Sequence, residues 1–156
     1  MATGHEDATR VFTSDELPWV PVPGVPKGEA WVKVIHADEE RNTVVFKFRF
    51  GPGCELVPHT HKCHAIAYTV SGEWEYEGLK LPEGAVAYEP VESVHTPSSE
   101  PGAEIAVVLT SKTDQFLINH MPDGSEIPFD MAFFKQLEGI TAQEMEALAQ
   151  EMGLAG

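Results

Sequence analysis

The sequence contains few cationic residues. Ten Lys and Arg stand against 25 Asp and Glu, which gives a formal net charge of -15 at pH 7. A chain of this charge is repelled by a phosphate backbone or an anionic lipid surface unless its cations form a basic patch, and no such patch is visible in the sequence. We therefore expect neither nucleic acid nor a membrane surface as a partner.

The sequence also lacks long apolar runs. No stretch approaches the roughly 20 residues of a membrane-spanning helix, and the first ten residues, MATGHEDATR, have neither the positive region nor the apolar core of a secretory signal. We therefore expect a cytoplasmic protein. The chain has only two cysteines, Cys54 and Cys63, and in a reducing compartment we expect free thiols rather than a disulfide.

Proline and glycine, by contrast, are frequent. Twelve Pro and 13 Gly interrupt short apolar runs in a chain of 156 residues, a length that suits one domain. This pattern favours many short strands joined by turns, so we predict an all-β fold with eight or more strands. The run HAIAYTV at 64–70 is apolar on both faces, and we expect it to form a hairpin with the alternating run EWEYEG at 73–78.

The two ends differ from the middle of the chain. Residues 1–28 are predicted to form an extended N-terminal arm, because LPWVPVPGVPKG at 17–28 places four prolines among apolar side chains that can lie on an apolar surface. Residues 29–120 are the predicted barrel core, and residues 121–156 a closing strand or loop and a helix. That helix, from Thr141 to Met152, begins with a capping box of Thr141 and Glu144 and is the one helix that the sequence predicts.

The residues with the clearest chemistry are three histidines at 59, 61 and 64. Side chains on a strand alternate with period two, so His59 and His61 project to the same side. Two imidazole nitrogens on one face provide half of a metal site, although a pair of surface histidines near a turn would show the same spacing.

The context of this pair extends the pattern. Gly53 is followed by five residues, then by His59-Thr60-His61, and Gly72 ends the apolar run. This arrangement resembles the first motif of the cupin superfamily. The resemblance implies a cupin double-stranded β-helix, that is, a jelly-roll barrel.

A second segment, PEGAVAYEPVESVH, resembles the second cupin motif. Pro82 and Gly84 match its turn, and His95 stands where its histidine ligand should be. The resemblance implies that His95 completes a metal site with His59 and His61.

The sequence departs from the family pattern at one ligand. The glutamate of the first motif would fall at position 65 or 66, which hold Ala65 and Ile66. We therefore expect a three-histidine site without a carboxylate, similar to cupin dioxygenases that cleave carbon-carbon bonds in acetylacetone and 2,4′-dihydroxyacetophenone. The segment YEPVESVHT resembles the corresponding segment of the enzyme that cleaves 2,4′-dihydroxyacetophenone.

The resemblance implies a reaction and its participants. The substrate would be a small diketone or hydroxyketone bound as its enolate, with dioxygen as co-substrate. The cofactor would be one divalent transition metal, with Fe(II) as first choice and Zn, Ni, Cu or Mn as alternatives that imidazole also accepts. Cupins of this size also imply a homo-oligomer, a dimer or a tetramer.

Other polar residues near these motifs have several interpretations. His64 could be a fourth ligand, a donor to a ligand, or a loop histidine at the barrel mouth. Glu89 is expected to anchor a ligand imidazole or the barrel wall, and Tyr88 is a further candidate for a residue that supports the ligands. The remaining histidines, His5, His36 and His120, lack ligand spacing and are interpreted as surface or structural.

Two other functions are compatible with these motifs. One is a non-redox isomerase or hydrolase that uses zinc or nickel. The other is a metal- or ligand-sensing cupin without turnover, as in the cupin domains of zinc-binding anti-sigma factors.

Overall fold

The computed structural model of the protein describes residues 8–154. These residues form a 3-10 turn at Ser14–Glu16, thirteen strands and two helices: β1 Val20–Pro21, β2 Ala30–Asp38, β3 Thr43–Phe50, β4 Cys54–Glu55, β5 His59–His61, β6 His64–Tyr76, β7 Leu79–Pro82, β8 Val86–Glu89, β9 Val94–His95, β10 Ser98–Ser99, β11 Ala103–Thr110, β12 Gln115–His120, β13 Glu126–Asp130, α1 Met131–Leu137 and α2 Ala142–Glu151. Neither of the described helices has the length and apolar character needed to cross a membrane.

The strands form two antiparallel sheets that face each other. The larger sheet has the order β1-β2-β3-β11-β6-β10-β4, with β7 and β8 also paired to β6, and the smaller has the order β13-β12-β5-β9. Residues that alternate along the strands, such as Ala65 and Ala67 on β6 and Val107 and Leu109 on β11, point into the space between the sheets and are buried. The prediction of an all-β jelly-roll barrel with an N-terminal arm and a C-terminal helix is confirmed.

The longest strand, β6, differs from the prediction. The expected hairpin between 64–70 and 73–78 is wrong, because β6 runs without reversal from His64 to Tyr76. Its first half pairs with β11 and β8, and its second half with β7 and β10. The pairing with β11 shifts register at Val70, between Thr69 and Ser71, so the chain bulges there instead of turning back. The reversal comes at Glu77-Gly78, which connects β6 to β7.

The N-terminal arm is fixed by both apolar and charged contacts. Val20 is buried and pairs with Val32, which adds β1 to the edge of β2. The ring of the half-buried Trp19 also contacts cations, with Arg49 Cζ at 4.2 Å and Lys33 Nζ at 4.6 Å from its centroid. The expectation of an arm on an apolar surface holds for its valines, since Val20 is buried and Val22 and Val25 pack against the core.

The C-terminal helix lies where the sequence predicts it. Helix α2 spans Ala142–Glu151, and Thr141 caps it by accepting a hydrogen bond from the Glu144 backbone N–H. The prediction of a single helix is wrong, since Met131–Leu137 forms α1. The sequence signal for α1 was Asp130, whose carboxylate accepts from Phe133 N–H at 2.8 Å, but a helix of two turns lacks the periodicity that identifies longer ones.

The outer face of β6 carries apolar side chains as well. Ile66 and Tyr68 are exposed there, so this strand is apolar on both faces, as the sequence indicated. The homo-oligomer stays a prediction.

Gly72 and Gly78 offer a matched pair of substitutions. Both have a positive φ, 73° and 79°, but a Cβ on Gly72 would overlap the Gly102 carbonyl oxygen, whereas nothing lies within 4 Å of one on Gly78. We expect Gly78→Ala to lower the free energy of unfolding by about 1 kcal/mol, the cost of the backbone conformation alone. Gly72→Ala should lower it by about 3 kcal/mol or more, because overlap is added to that cost. Denaturant unfolding measures both, and equal losses would contradict the close approach of the strands at Gly72.

Candidate metal centre

Four side chains with metal-binding chemistry meet between the two sheets. His59 and His61 project from β5 to the same side, and His95 on β9 pairs directly with His59 across the smaller sheet. Glu89 comes from β8 of the larger sheet and is buried. The strand pairing therefore assembles the three histidines predicted from the sequence and adds a carboxylate.

The donor atoms of His59, His61 and Glu89 converge on one point, and that of His95 lies beside Glu89. His59 Nε2 and His61 Nε2 are 3.0 Å apart, and Glu89 Oε2 is 2.6 Å from His61 Nε2. His95 Nε2 lies 3.7 Å from the same carboxylate oxygen. The donors of His59, His61 and Glu89 all lie within 4.8 Å of one another.

This arrangement fits a divalent transition metal. Two imidazole nitrogens bound at about 2.1 Å and at right angles are about 3.0 Å apart, the separation found between His59 and His61. Within residues 8–154, His95 Nε2 is one of two buried side-chain nitrogens without a hydrogen-bond partner, the other being His61 Nδ1. A hydrogen bond between the imidazoles of His59 and His61 would explain their distance of 3.0 Å. It would not explain why His95 Nε2 is buried beside Glu89 without a hydrogen-bond partner. Three imidazoles and one carboxylate form a donor set that suits iron, manganese, zinc, nickel or copper.

The expectation of a site without a carboxylate is wrong. Ala65 and Ile66 do replace the glutamate of the family motif, but Glu89 pairs with Ala65 across β6 and β8. Directly paired residues project to the same face of a sheet, so Glu89 places its carboxylate on the side where a glutamate at position 65 would place its own. Its proximity to His61 agrees with the interpretation of Glu89 as a residue that contacts a ligand imidazole.

Tyr76 is a site residue that the sequence did not reveal. Burial, followed by the charges of Glu89 and Glu77, raises the pKa of Tyr76 to about 12, and a hydrogen bond to Glu89 adds to the effect. The phenol therefore stays protonated, and its hydroxyl donates a hydrogen bond to the Glu89 carboxylate. Its ring also packs on His95, with centroids 4.1 Å apart. The alternation in EWEYEG indicated only that Tyr76 lies on a strand.

His59 is held in its neutral form. Burial lowers the pKa of His59 to about 3, and the neighbouring histidines, His61, His95 and His120, contribute further. A neutral imidazole keeps the lone pair that a metal requires. His120 itself lies on the other side of β5, where Thr60 Oγ1 is 2.7 Å from its Nε2.

Three of the four donor residues, His59, His61 and Glu89, line an apolar cavity of about 190 Å³. Its walls are aliphatic and aromatic side chains of both sheets, and its polar lining includes Asn119 beside His59. Val22 and Val25 of the arm and Met152 and Leu154 of the C-terminal segment also line it. Met145 of α2 is buried and also lines the cavity, so the helix packs on the barrel and forms part of the cavity wall.

Some predicted site residues lie elsewhere. His64 and Tyr88 are exposed on the outer face of the larger sheet, where His64 Nδ1 is 2.7 Å from the Tyr88 hydroxyl. The alternation that turns Ala65 and Glu89 inward turns these two outward, so the structure does not bring them to the histidines. His36 lies 3.6 Å from Glu138 at the surface of the barrel, and His5 lies outside the described residues.

Comparison with known proteins places the chain in a family. The ChrR cupin-like domain family matches residues 7–113. The chain belongs to this cupin family. No curated protein matches it.

Solved structures share the cupin fold. An RmlC-like cupin protein from Ralstonia eutropha JMP134 is 20% identical, with a TM-score of 0.71 over 94% of this chain and 90% of that chain. An acetylacetone dioxygenase from Acinetobacter johnsonii is 16% identical, with a TM-score of 0.71 over 86% of this chain and 93% of that chain. At these identities the likeness shows the fold alone.

Replacement of the histidines tests the ligand set. His59→Ala, His61→Ala and His95→Ala should each release most of the bound metal while the circular dichroism spectrum stays unchanged, because the core consists of apolar strands. His64→Ala is the matched control and should keep its metal, since His64 lies on the outer face. Metal per chain is measured by mass spectrometry after loading and desalting. Full occupancy in His95→Ala would remove His95 from the set.

The two cysteines provide a test of burial. Both are free and buried; burial, followed by the charge of Glu89, raises the pKa of Cys63 to about 12, and burial followed by Glu55 raises the pKa of Cys54. At pH 8 both therefore remain thiols rather than reactive thiolates. We expect no reaction with Ellman's reagent in the native protein and two thiols per chain in denaturant. Rapid labelling of the native protein would contradict this environment.

Proposed function

We propose that this cupin is a metal-dependent dioxygenase that cleaves a carbon-carbon bond in a small diketone or hydroxyketone bound as its enolate. The observation that carries the proposal is the cluster of His59, His61 and Glu89 beside an apolar cavity, with His95 Nε2 at 3.7 Å from the Glu89 carboxylate. A single divalent metal, Fe(II) as first choice, supplies Lewis acidity and reactivity towards dioxygen.

The cavity supports a small and mostly apolar substrate. Its volume of about 190 Å³ is below the roughly 300 to 1,000 Å³ of sites for drug-sized ligands. Phe46, Val107 and Leu117 are among its wall residues, and such walls exclude water and strengthen electrostatic interactions. Asn119, which pairs with His59 across β12 and β5, offers an amide that can donate to a substrate oxygen.

The charge of the site favours an anion. Neutral His59, His61 and His95 would leave a charge of +2 on a divalent ion, and Glu89 reduces it to +1. A site that remains cationic in apolar surroundings binds an enolate more tightly than its neutral keto form. The Tyr76 hydroxyl, by donating a hydrogen bond to Glu89, helps to orient that carboxylate.

The acetylacetone dioxygenase from Acinetobacter johnsonii supports the proposal to a limited degree. It shares the fold with this chain over most of both lengths. Its activity shows that this fold can support the proposed reaction, and the donor set beside an apolar cavity is the feature of this chain that suits the same chemistry.

Oxygen labelling tests the reaction. The protein is loaded anaerobically with Fe(II) and offered acetylacetone, related diketones and hydroxyacetophenones under ¹⁸O₂. We expect oxygen consumption and two carbonyl products, at least one a labelled carboxylic acid. Metal-dependent product without oxygen consumption or label would contradict the dioxygenase and favour the isomerase or hydrolase.

A ligand sensor without turnover is the second candidate. The observation that favours it is the close approach of the arm to the C-terminal segment. Gly24 of the arm lies so near Leu154 that a Cβ atom on Gly24 would be 3.3 Å from Leu154 Cδ2, and both residues line the cavity. Two segments that meet at the cavity could transmit ligand binding to another surface. Tight binding of a panel compound with no turnover in the oxygen assay would favour this candidate.

Glu89→Gln separates the two contributions of the carboxylate. Loss of the negative charge should weaken Co(II) binding about 10-fold or more, yet the loaded site should bind an enolate more tightly because its net charge rises. Titration with Co(II), then with acetylacetone at a pH where both forms exist, measures the two affinities. Glu83→Gln, at an exposed turn, is the control and should change neither. Unchanged metal affinity in Glu89→Gln would remove Glu89 from the metal site.

A further inference from the structure

The hairpin turn between β6 and β7 contains an unfavourable residue. Glu77 and Gly78 form this two-residue connection with φ values of 46° and 79°. Turns with two positive φ angles favour Asn, Asp or Gly at the first position, and another residue there costs about 1 kcal/mol. The geometry of the hairpin alone therefore does not explain a glutamate at position 77.

The side chain of Glu77 reaches across to β9. Its Oε2 is 3.2 Å from His95 Nδ1, and its Oε1 accepts a hydrogen bond from the Thr96 backbone N–H at 2.9 Å. Strand β9 has only two residues, so few backbone hydrogen bonds hold it. Both oxygens of Glu77 thus act on the short segment that carries His95.

The contact with His95 determines how that imidazole faces the site. A carboxylate accepts, so the proton of a neutral His95 lies on Nδ1 and the lone pair on Nε2. Nε2 is the buried nitrogen without a hydrogen-bond partner that lies near Glu89. Tyr76, the residue before Glu77, packs against the ring, so the end of β6 contacts His95 both at its face and at its edge.

We propose that Glu77 is a positioning residue, which holds His95 with Nε2 directed at the metal and occupies an unfavourable backbone conformation for that purpose. The inference rests on the proposed metal site. Partners of metal-bound histidines typically change metal affinity 10- to 100-fold when they are replaced.

The alternative role for Glu77 is structural, as an ion pair that stabilises the barrel. Its side chain is 48% exposed, and pairs this accessible to water contribute little to the free energy of unfolding. The positive φ opposes folding with a glutamate at this position. A residue better suited to the turn should therefore preserve or raise stability while metal binding weakens.

Glu77→Asn and Glu92→Asn form a matched pair of variants. Glu92 also has a positive φ, 71°, and its side chain bonds Lys62 Nζ at 2.9 and 3.1 Å. Asparagine suits both backbone conformations, so neither variant should have a lower denaturant midpoint than the parent protein. Calorimetric titration with Co(II) should show 10- to 100-fold weaker binding in Glu77→Asn and a change of less than twofold in Glu92→Asn.

A measurement without metal separates this inference from the proposed function. Long-range ¹H–¹⁵N spectra of the metal-free protein at neutral pH, with the His95 signal assigned by its loss in His95→Gln, report which ring nitrogen carries the proton. We expect Nδ1–H in the parent protein and in Glu92→Asn, and a mixture or Nε2–H in Glu77→Asn.

The outcomes distinguish the two claims. A change of the His95 tautomer in Glu77→Asn supports the positioning role whether or not the parent protein binds Co(II). A parent protein that binds no Co(II) would contradict the proposed function alone. An unchanged tautomer overturns the positioning role, and so does a loss of affinity in Glu77→Asn that is accompanied by an equal loss of stability.

Discussion

The fold of this protein has to hold four ionisable side chains inside an apolar barrel. Burial of a polar group is costly unless it is paired, and burial of a carboxylate is more costly still. Glu89 is compensated by Tyr76, which donates to it, and by the nearby imidazoles of His61 and His95. Burial also keeps His59 neutral, so the environment that makes the cluster unfavourable also prepares it for a metal.

The long strand β6 positions this cluster. Its first half faces the cavity through Ala65 and brings Glu89 alongside on β8, and its second half ends at Tyr76 and Glu77 next to His95. The bulge at Val70 lies between these two halves, so that one strand contributes to both parts of the site. The small side chain of Ala65 leaves space for the carboxylate that arrives from the neighbouring strand.

The sequence predicted those features that depend on local spacing. His59 and His61 were identified from the two-residue alternation of side chains along a strand, His95 from its motif, and α2 from its capping box. The structure brings the three histidines together. Glu89 as part of the donor cluster, Tyr76 as its hydrogen-bond donor and the contact of Glu77 with His95 depend on which strands pair and in what register, and no local pattern encodes that pairing. The misplaced hairpin has a similar cause, since Ser71-Gly72 can form a turn or continue a strand, and the pairing with β11 decides which.

The most direct test of this account is a crystal structure of the protein grown with Co(II), with anomalous scattering used to locate the ion. The account predicts one ion per chain, bound by Nε2 of His59, His61 and His95 and by the carboxylate of Glu89 at about 2.0–2.2 Å. An ion bound elsewhere, or no anomalous peak between these four side chains at saturating Co(II), would contradict the central claim that they form a metal centre.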